Sequence, residues 1–136
     1  MFHCIKRTPN TLFHFTLKSN VDNITKDMCI KKFKDSHTWF FEKLEDVIEY
    51  FDLFMMSDNY RYMGFDGLPH GIINVNKSDY VILKFKARYS DPLNWFIYEG
   101  YKPPNIDKSH FNDPYENSVA YKGNLKIKNI EIIPFP

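Results

Sequence analysis

Three residues of types that do chemistry stand far apart in this 136-residue chain: His14 in "FHFT", Tyr50 at the end of "EKLEDVIEY", and Glu116 in "DPYENSVAYKG". A histidine between Phe13 and Phe15 is either a packed ring or a hydrogen-bonding group for a ligand, and Thr16 adds a hydroxyl two residues on. A flat ring such as Tyr50 can stack on another ring. A carboxylate such as Glu116 can stabilise positive charge that builds up during a reaction. Each also has a plain structural use: Tyr50 as a boundary residue of its helix, Glu116 as a cap at the end of a loop.

Other chemistries have less to draw on. The five histidines (His3, His14, His37, His70 and His110) show no H-x-x-x-H pairing, and neither Cys4 nor Cys29 joins them at zinc-ligand spacing, so no metal site is expected. Walker, G-x-G-x-x-G and G-x-S-x-G patterns are absent from the sequence. Two cysteines this far apart make a poor disulfide framework, and both are expected to be reduced and buried. A formal net charge of +1, from 18 basic and 17 acidic residues, gives no global field for a nucleic-acid backbone or an anionic membrane. The densest lysine run, Lys26 to Lys34, reads first as a solvated strand edge and second as a phosphate-contacting patch. No stretch approaches the ~18 apolar residues of a membrane span, and no signal-peptide apolar region opens the chain. A cytoplasmic location, in the protein's own cell or a host cytosol, is the expectation.

The elements that must position these residues follow from pattern. The length suits a single domain, residues 1–136, and thirteen Phe with nine Tyr point to a core built from rings. "MFHCI" and Leu12 to Thr16 read as short strands on either side of a Thr-Pro-Asn turn signal. Ser19 and Asp22 form an [ST]-x-x-[DE] capping pattern for a short helix over about Asn20 to Lys26. "SHTWFF" is an aromatic strand, whose Trp39, Phe40 and Phe41 read as core before cofactor contacts. Leu44, Val47, Ile48 and Phe51 then recur at i, i+3, i+4 and i+7, the spacing of an amphipathic helix. From Ser57 to Asp79 an irregular stretch with at most one short strand, Ile72 to Val75, is expected. "YVILKFKARY" alternates apolar and basic residues as a strand does. "LNWFIY" is a strand or the start of a loop, Glu99 to Tyr115 a long loop, and "NSVAYKG" and "LKIKNIEII" two strands divided at Gly123-Asn124. Two helices in the N-terminal half among six or so strands make an α+β domain.

The order of these parts resembles the ADP-ribosyltransferase superfamily, in particular its histidine-tyrosine-glutamate branch. "FHFT" matches the early aromatic-His-x-Thr strand, "WFFEKLEDVIEYF" the aromatic strand with a helix bearing the tyrosine, and "DPYENSVAYKG" the late glutamate beside a strand. The His strand followed by "NVDNI" also resembles DNA-modifying members. The resemblance runs from Leu12 to Ile133 and implies split antiparallel sheets with NAD as substrate. It implies that Glu116 is the catalytic acid, acting on an oxocarbenium-like transition state as the nicotinamide–ribose bond breaks. By the same resemblance His14 would bond a ribose hydroxyl, Thr16 would hold the dinucleotide or the histidine, and Tyr50 would stack on nicotinamide, with Phe13 and Phe41 as further cofactor contacts.

Two positions depart from the family pattern. Phe15 stands where a glycine usually follows the histidine, and Ser118 stands where a Glu-x-Glu alignment from Glu116 would put the catalytic acid. The leading expectation is a small, effector- or toxin-like mono-ADP-ribosyltransferase that modifies a macromolecular acceptor, a protein in preference to a nucleic acid, through the loop before Glu116. The alternative is a catalytically inactive relative that acts through a protein partner. A third reading is an unrelated α+β interaction domain in which "FHFT" is core.

Overall fold

The computed structural model describes residues 1–32, 36–55, 62–63, 69–70, 75–99 and 115–136. Eight strands form one antiparallel sheet in the order β1-β8-β9-β4-β2-β7-β10-β3. In chain order these are β1 (Phe2–Cys4), β2 (Leu12–Leu17), β3 (Cys29–Ile30), β4 (His37–Phe41), β7 (Tyr80–Tyr89), β8 (Trp95–Tyr98), β9 (Ser118–Lys122) and β10 (Leu125–Pro134). A separate two-stranded pair joins β5 (Tyr62–Met63) to β6 (Pro69–His70). Among the described residues there are two α-helices, α1 (Val21–Asp27) and α2 (Leu44–Tyr50), and α2 runs on into a π-helical segment, Phe51–Met55. The expected α+β class is observed, with more strands than the sequence suggested.

The sheet divides near its middle. β2 pairs with β7 over six register positions, from Leu12↔Phe85 to Leu17↔Tyr80, and β4 pairs with β9 over five. Between β2 and β4 the only register pair is Phe13↔Phe41. Two four-stranded blocks, β1-β8-β9-β4 and β2-β7-β10-β3, therefore meet at a single pair.

Each sheet face carries its own core, because side chains alternate along a strand. One face gathers Leu12, Phe40, Leu83, Phe85, Trp95 and Tyr121, with Val21 and Ile24 of α1 packed against it. The other gathers Phe13, Phe41 and Ile82 beneath Val47, Tyr50 and Phe54 of α2 and the π-helical segment. Ile82 is thus fully buried although it alternates with the buried Val81 and Leu83. The expected helix face holds for Val47 and Phe51, both fully buried, and Tyr50 is buried with them rather than lying at a boundary.

Local details differ from the sequence pattern in a few places. The first helix is entered through a 3-10 turn, Lys18–Asn20, and Asn20 is its N-cap without a side-chain cap bond, so the Ser19–Asp22 box does not form. The helix ends at Met28, which takes a left-handed conformation (φ 50°) and bonds Ile24 O through its amide. The Met28 carbonyl accepts from Ile127 N at 3.0 Å, tying the end of α1 to β10. Cys4 and Cys29 are free thiols and half-buried rather than buried. "LNWFIY" resolves into a 3-10 turn and β8, and Gly123, at φ 104°, makes the turn between β9 and β10. Residues 72–74 of the expected short strand and 100–114 of the expected loop lie outside the described residues.

Candidate functional site

His14 and Thr16 share the β2 face that carries Leu12, on the side covered by α1. The His14 ring reaches across the division in the sheet, where Nδ1 lies 3.0 Å from the Trp39 carbonyl of β4. A carbonyl oxygen only accepts, so Nδ1 carries the proton and Nε2 is left as an acceptor. Burial pushes the His14 pKa down, against the raising effect of the Trp39 carbonyl, which favours the neutral ring. This ring takes the place of strand pairing beyond Phe13↔Phe41, a structural use that leaves Nε2 without a hydrogen bond among the described residues.

A cleft of about 330 Å³ opens beside His14 and Thr16, walled by Asn20, Asn23, Ile24 and Asp27 of the α1 region and by Cys29, Ile30 and Lys31. Thr16 is only 8% exposed, and its hydroxyl makes no hydrogen bond with the described residues. Among those residues no fully buried side-chain nitrogen or oxygen lacks a partner, so both Thr16 Oγ1 and His14 Nε2 open to the cleft. Thr16 is therefore not bonded to the histidine. At the rim, Lys31 donates to Asp27 at 3.0 Å, and burial raises the pKa of the Cys29 thiol. The sequence reading missed the α1 wall, although Asn20, Asn23 and Asp27 stand at i, i+3 and i+7, a spacing that places them on one side of a helix.

The other expected site residues lie elsewhere. Phe13, Phe41 and Tyr50 form one aromatic cluster on the opposite sheet face, with Tyr50 centroids 5.4 Å from Phe41 and 5.8 Å from Phe15. Glu116 is exposed in the turn Tyr115–Asn117 just before β9. It lines a second cleft of about 440 Å³ with His3, Glu42, Asp46, Glu99 and Ser118. Burial, reinforced by Glu45, Glu49 and Glu116, raises the Asp46 pKa despite Lys43. Ser118 is buried and donates from Oγ to the Tyr115 carbonyl at 2.7 Å, so it closes the turn. Five residues, His14, Thr16, Tyr50, Phe13 and Phe41, thus divide between two faces of the sheet, and Glu116 belongs to a third location.

No helix is long and apolar enough to cross a membrane, and no group of three or more metal-ligating side chains is found, both among the described residues. No family model, no curated protein and no solved structure matches this chain.

Proposed function

We propose that the chain is an ADP-ribosyltransferase-like domain that binds NAD at the His14 cleft and acts through binding rather than transfer. The observation that carries this reading is the His14 ring, anchored through Nδ1–H to Trp39 O at the division of the sheet with Nε2 open to the cleft. The single Phe13↔Phe41 pair between two four-stranded blocks supports a split-sheet arrangement of the same kind. A cleft of this size is at the small end of ligand sites and takes one nucleoside half of a dinucleotide. The placement of Tyr50 on the α2 face of the sheet, away from His14, and the use of Ser118 to close a turn, favour binding over catalysis.

The second reading is the mono-ADP-ribosyltransferase, in which Glu116 acts on a macromolecular acceptor. What favours it is an exposed Glu116 beside Asp46, a carboxyl held protonated to higher pH than usual, in a cleft of its own. One experiment separates the two. Purified protein is titrated with NAD and then incubated with labelled NAD and lysate, with His14→Ala and Glu116→Gln in parallel. Binding that His14→Ala weakens, with NAD left intact, is the expected result. Label transferred to protein or nucleic acid and lost in Glu116→Gln establishes the transferase instead, and absence of NAD binding by the wild type overturns both.

A further inference from the structure

The lysines of β7 and β10 form a basic surface that the near-neutral total charge conceals. Lys84, Lys86 and Arg88 alternate with Leu83, Phe85 and Ala87, so they leave the core face and are exposed on the other. Lys126 and Lys128 do the same around the fully buried Ile127. Register brings the two rows together: Lys128 stands opposite Lys86, and Lys126 opposite Tyr89. Rows of this kind set cations about 6.6 Å apart along a strand and about 4.8 Å apart across the pair. Among the described residues one carboxylate, Glu131, faces them, at 3.9 Å from Lys84. Among the described residues the other four cations have no ion pair.

An exposed ring lies within the same patch. Tyr89 is 69% exposed, and the Arg88 guanidinium lies 5.3 Å from its centroid. The register shift between Lys126 and Ile127 is what puts Tyr89 beside Lys126. Helix α2 covers this side of the sheet only around Phe13, Phe41 and Ile82, which leaves the far ends of β7 and β10 uncovered by it.

We propose that the exposed face of β7 and β10 is a binding surface for single-stranded nucleic acid. Unpaired cations in two rows match a phosphate backbone. The ring beside Lys126 gives an unpaired base a surface to stack on, which a duplex with its bases stacked inside cannot use. Membrane adhesion would call for apolar side chains among the cations, and the residues between these lysines point into the core instead. The surface is separate from the His14 cleft and stands whether or not that cleft takes NAD.

The test uses the whole protein and a fluorescein-labelled single-stranded DNA of about twenty nucleotides, longer than the span of the face. Anisotropy is followed across a salt series, with Lys86→Glu/Lys128→Glu, the milder Lys86→Gln/Lys128→Gln, Tyr89→Ala and His14→Ala in parallel. Expected are binding that falls steeply with salt, a loss of about tenfold or more in the charge-reversed protein, and a shallower salt slope in the glutamine pair, by about 0.7 per lost phosphate contact. Tyr89→Ala should weaken binding severalfold without changing the slope, and His14→Ala should leave it unchanged. Absence of binding at about 50 mM salt, or binding that the glutamine pair leaves intact, overturns the proposal. So does tighter binding to phosphatidylserine vesicles than to the oligonucleotide.

Discussion

His14 and Tyr50 lie on opposite faces of the same sheet, separated by the strand that carries Phe15. A ligand held by His14 Nε2 therefore does not touch the tyrosine. His14→Ala is expected to weaken NAD binding about three- to tenfold, the worth of one neutral hydrogen bond, whereas Tyr50→Phe leaves it unchanged. Calorimetric titration of both variants checks this, and a Tyr50→Phe loss equal to that of His14→Ala would mean that the two residues share a ligand.

Thr16 separates ligand contact from stability. Its hydroxyl has no hydrogen-bond partner among the described residues and opens to the cleft, so Thr16→Val keeps the shape of the side chain and strands no donor. The thermal midpoint should stay the same or rise slightly while NAD affinity falls. Unfolding scans with and without NAD report both quantities.

The lowered pKa of His14 gives a signed pH dependence. The unfolded chain takes up this proton first, near the ordinary value of 6.5, and the folded chain only at lower pH. Stability is then complete above that value and declines as pH falls through it toward the folded pKa, by at most about 1.4 kcal/mol per pH unit. Urea unfolding at pH 7.5 and 5.5 should show the decline in wild type and a smaller one in His14→Gln; equal declines would assign the effect to another group.

Arg7 and Glu42 form a two-point ion pair, 2.7 and 2.9 Å, between the segment after β1 and the end of β4. The pair is partly exposed, so Arg7→Ala should cost only about 0.5–1 kcal/mol, less at high salt. Arg7 lowers the Glu42 pKa, so this contribution is present above the ordinary carboxylate range and is lost as pH falls below it. A urea series on both proteins at neutral and acidic pH measures it.

Phe40 is fully buried, with ring centroids 5.6 Å from Phe85 and 6.0 Å from Trp95. Phe40→Ala should therefore cost about 3–5 kcal/mol, read from the urea midpoint.

Much of the fold was legible because its signals are local. The alternation in "YVILKFKARY" marks β7, and the i, i+3, i+4, i+7 pattern marks α2. The burial of Ile82 was not legible, since it depends on α2 lying over a face that alternation alone assigns to solvent. The site was harder for the same reason. His14 and Thr16 share a face by the period of their own strand, but which side receives Tyr50 is set by how α2 crosses the sheet. The basic surface shows the limit most clearly: Lys86 and Lys128 are each visible as strand lysines, and only topology makes them neighbours.

The single pair joining the two halves of the sheet also bears on how the molecule can come apart. The backbone passes from one block to the other between β1 and β2, again between β3 and β4, between β4 and β7, between β7 and β8, and between β9 and β10. The seam weakest in hydrogen bonds is thus crossed by covalent chain five times, as often as any division of the sheet. Neither block is a contiguous fragment that a protease cut or a truncation could release intact. Loosening at the seam opens a gap in the sheet without freeing a subdomain, and the two halves remain one topological unit.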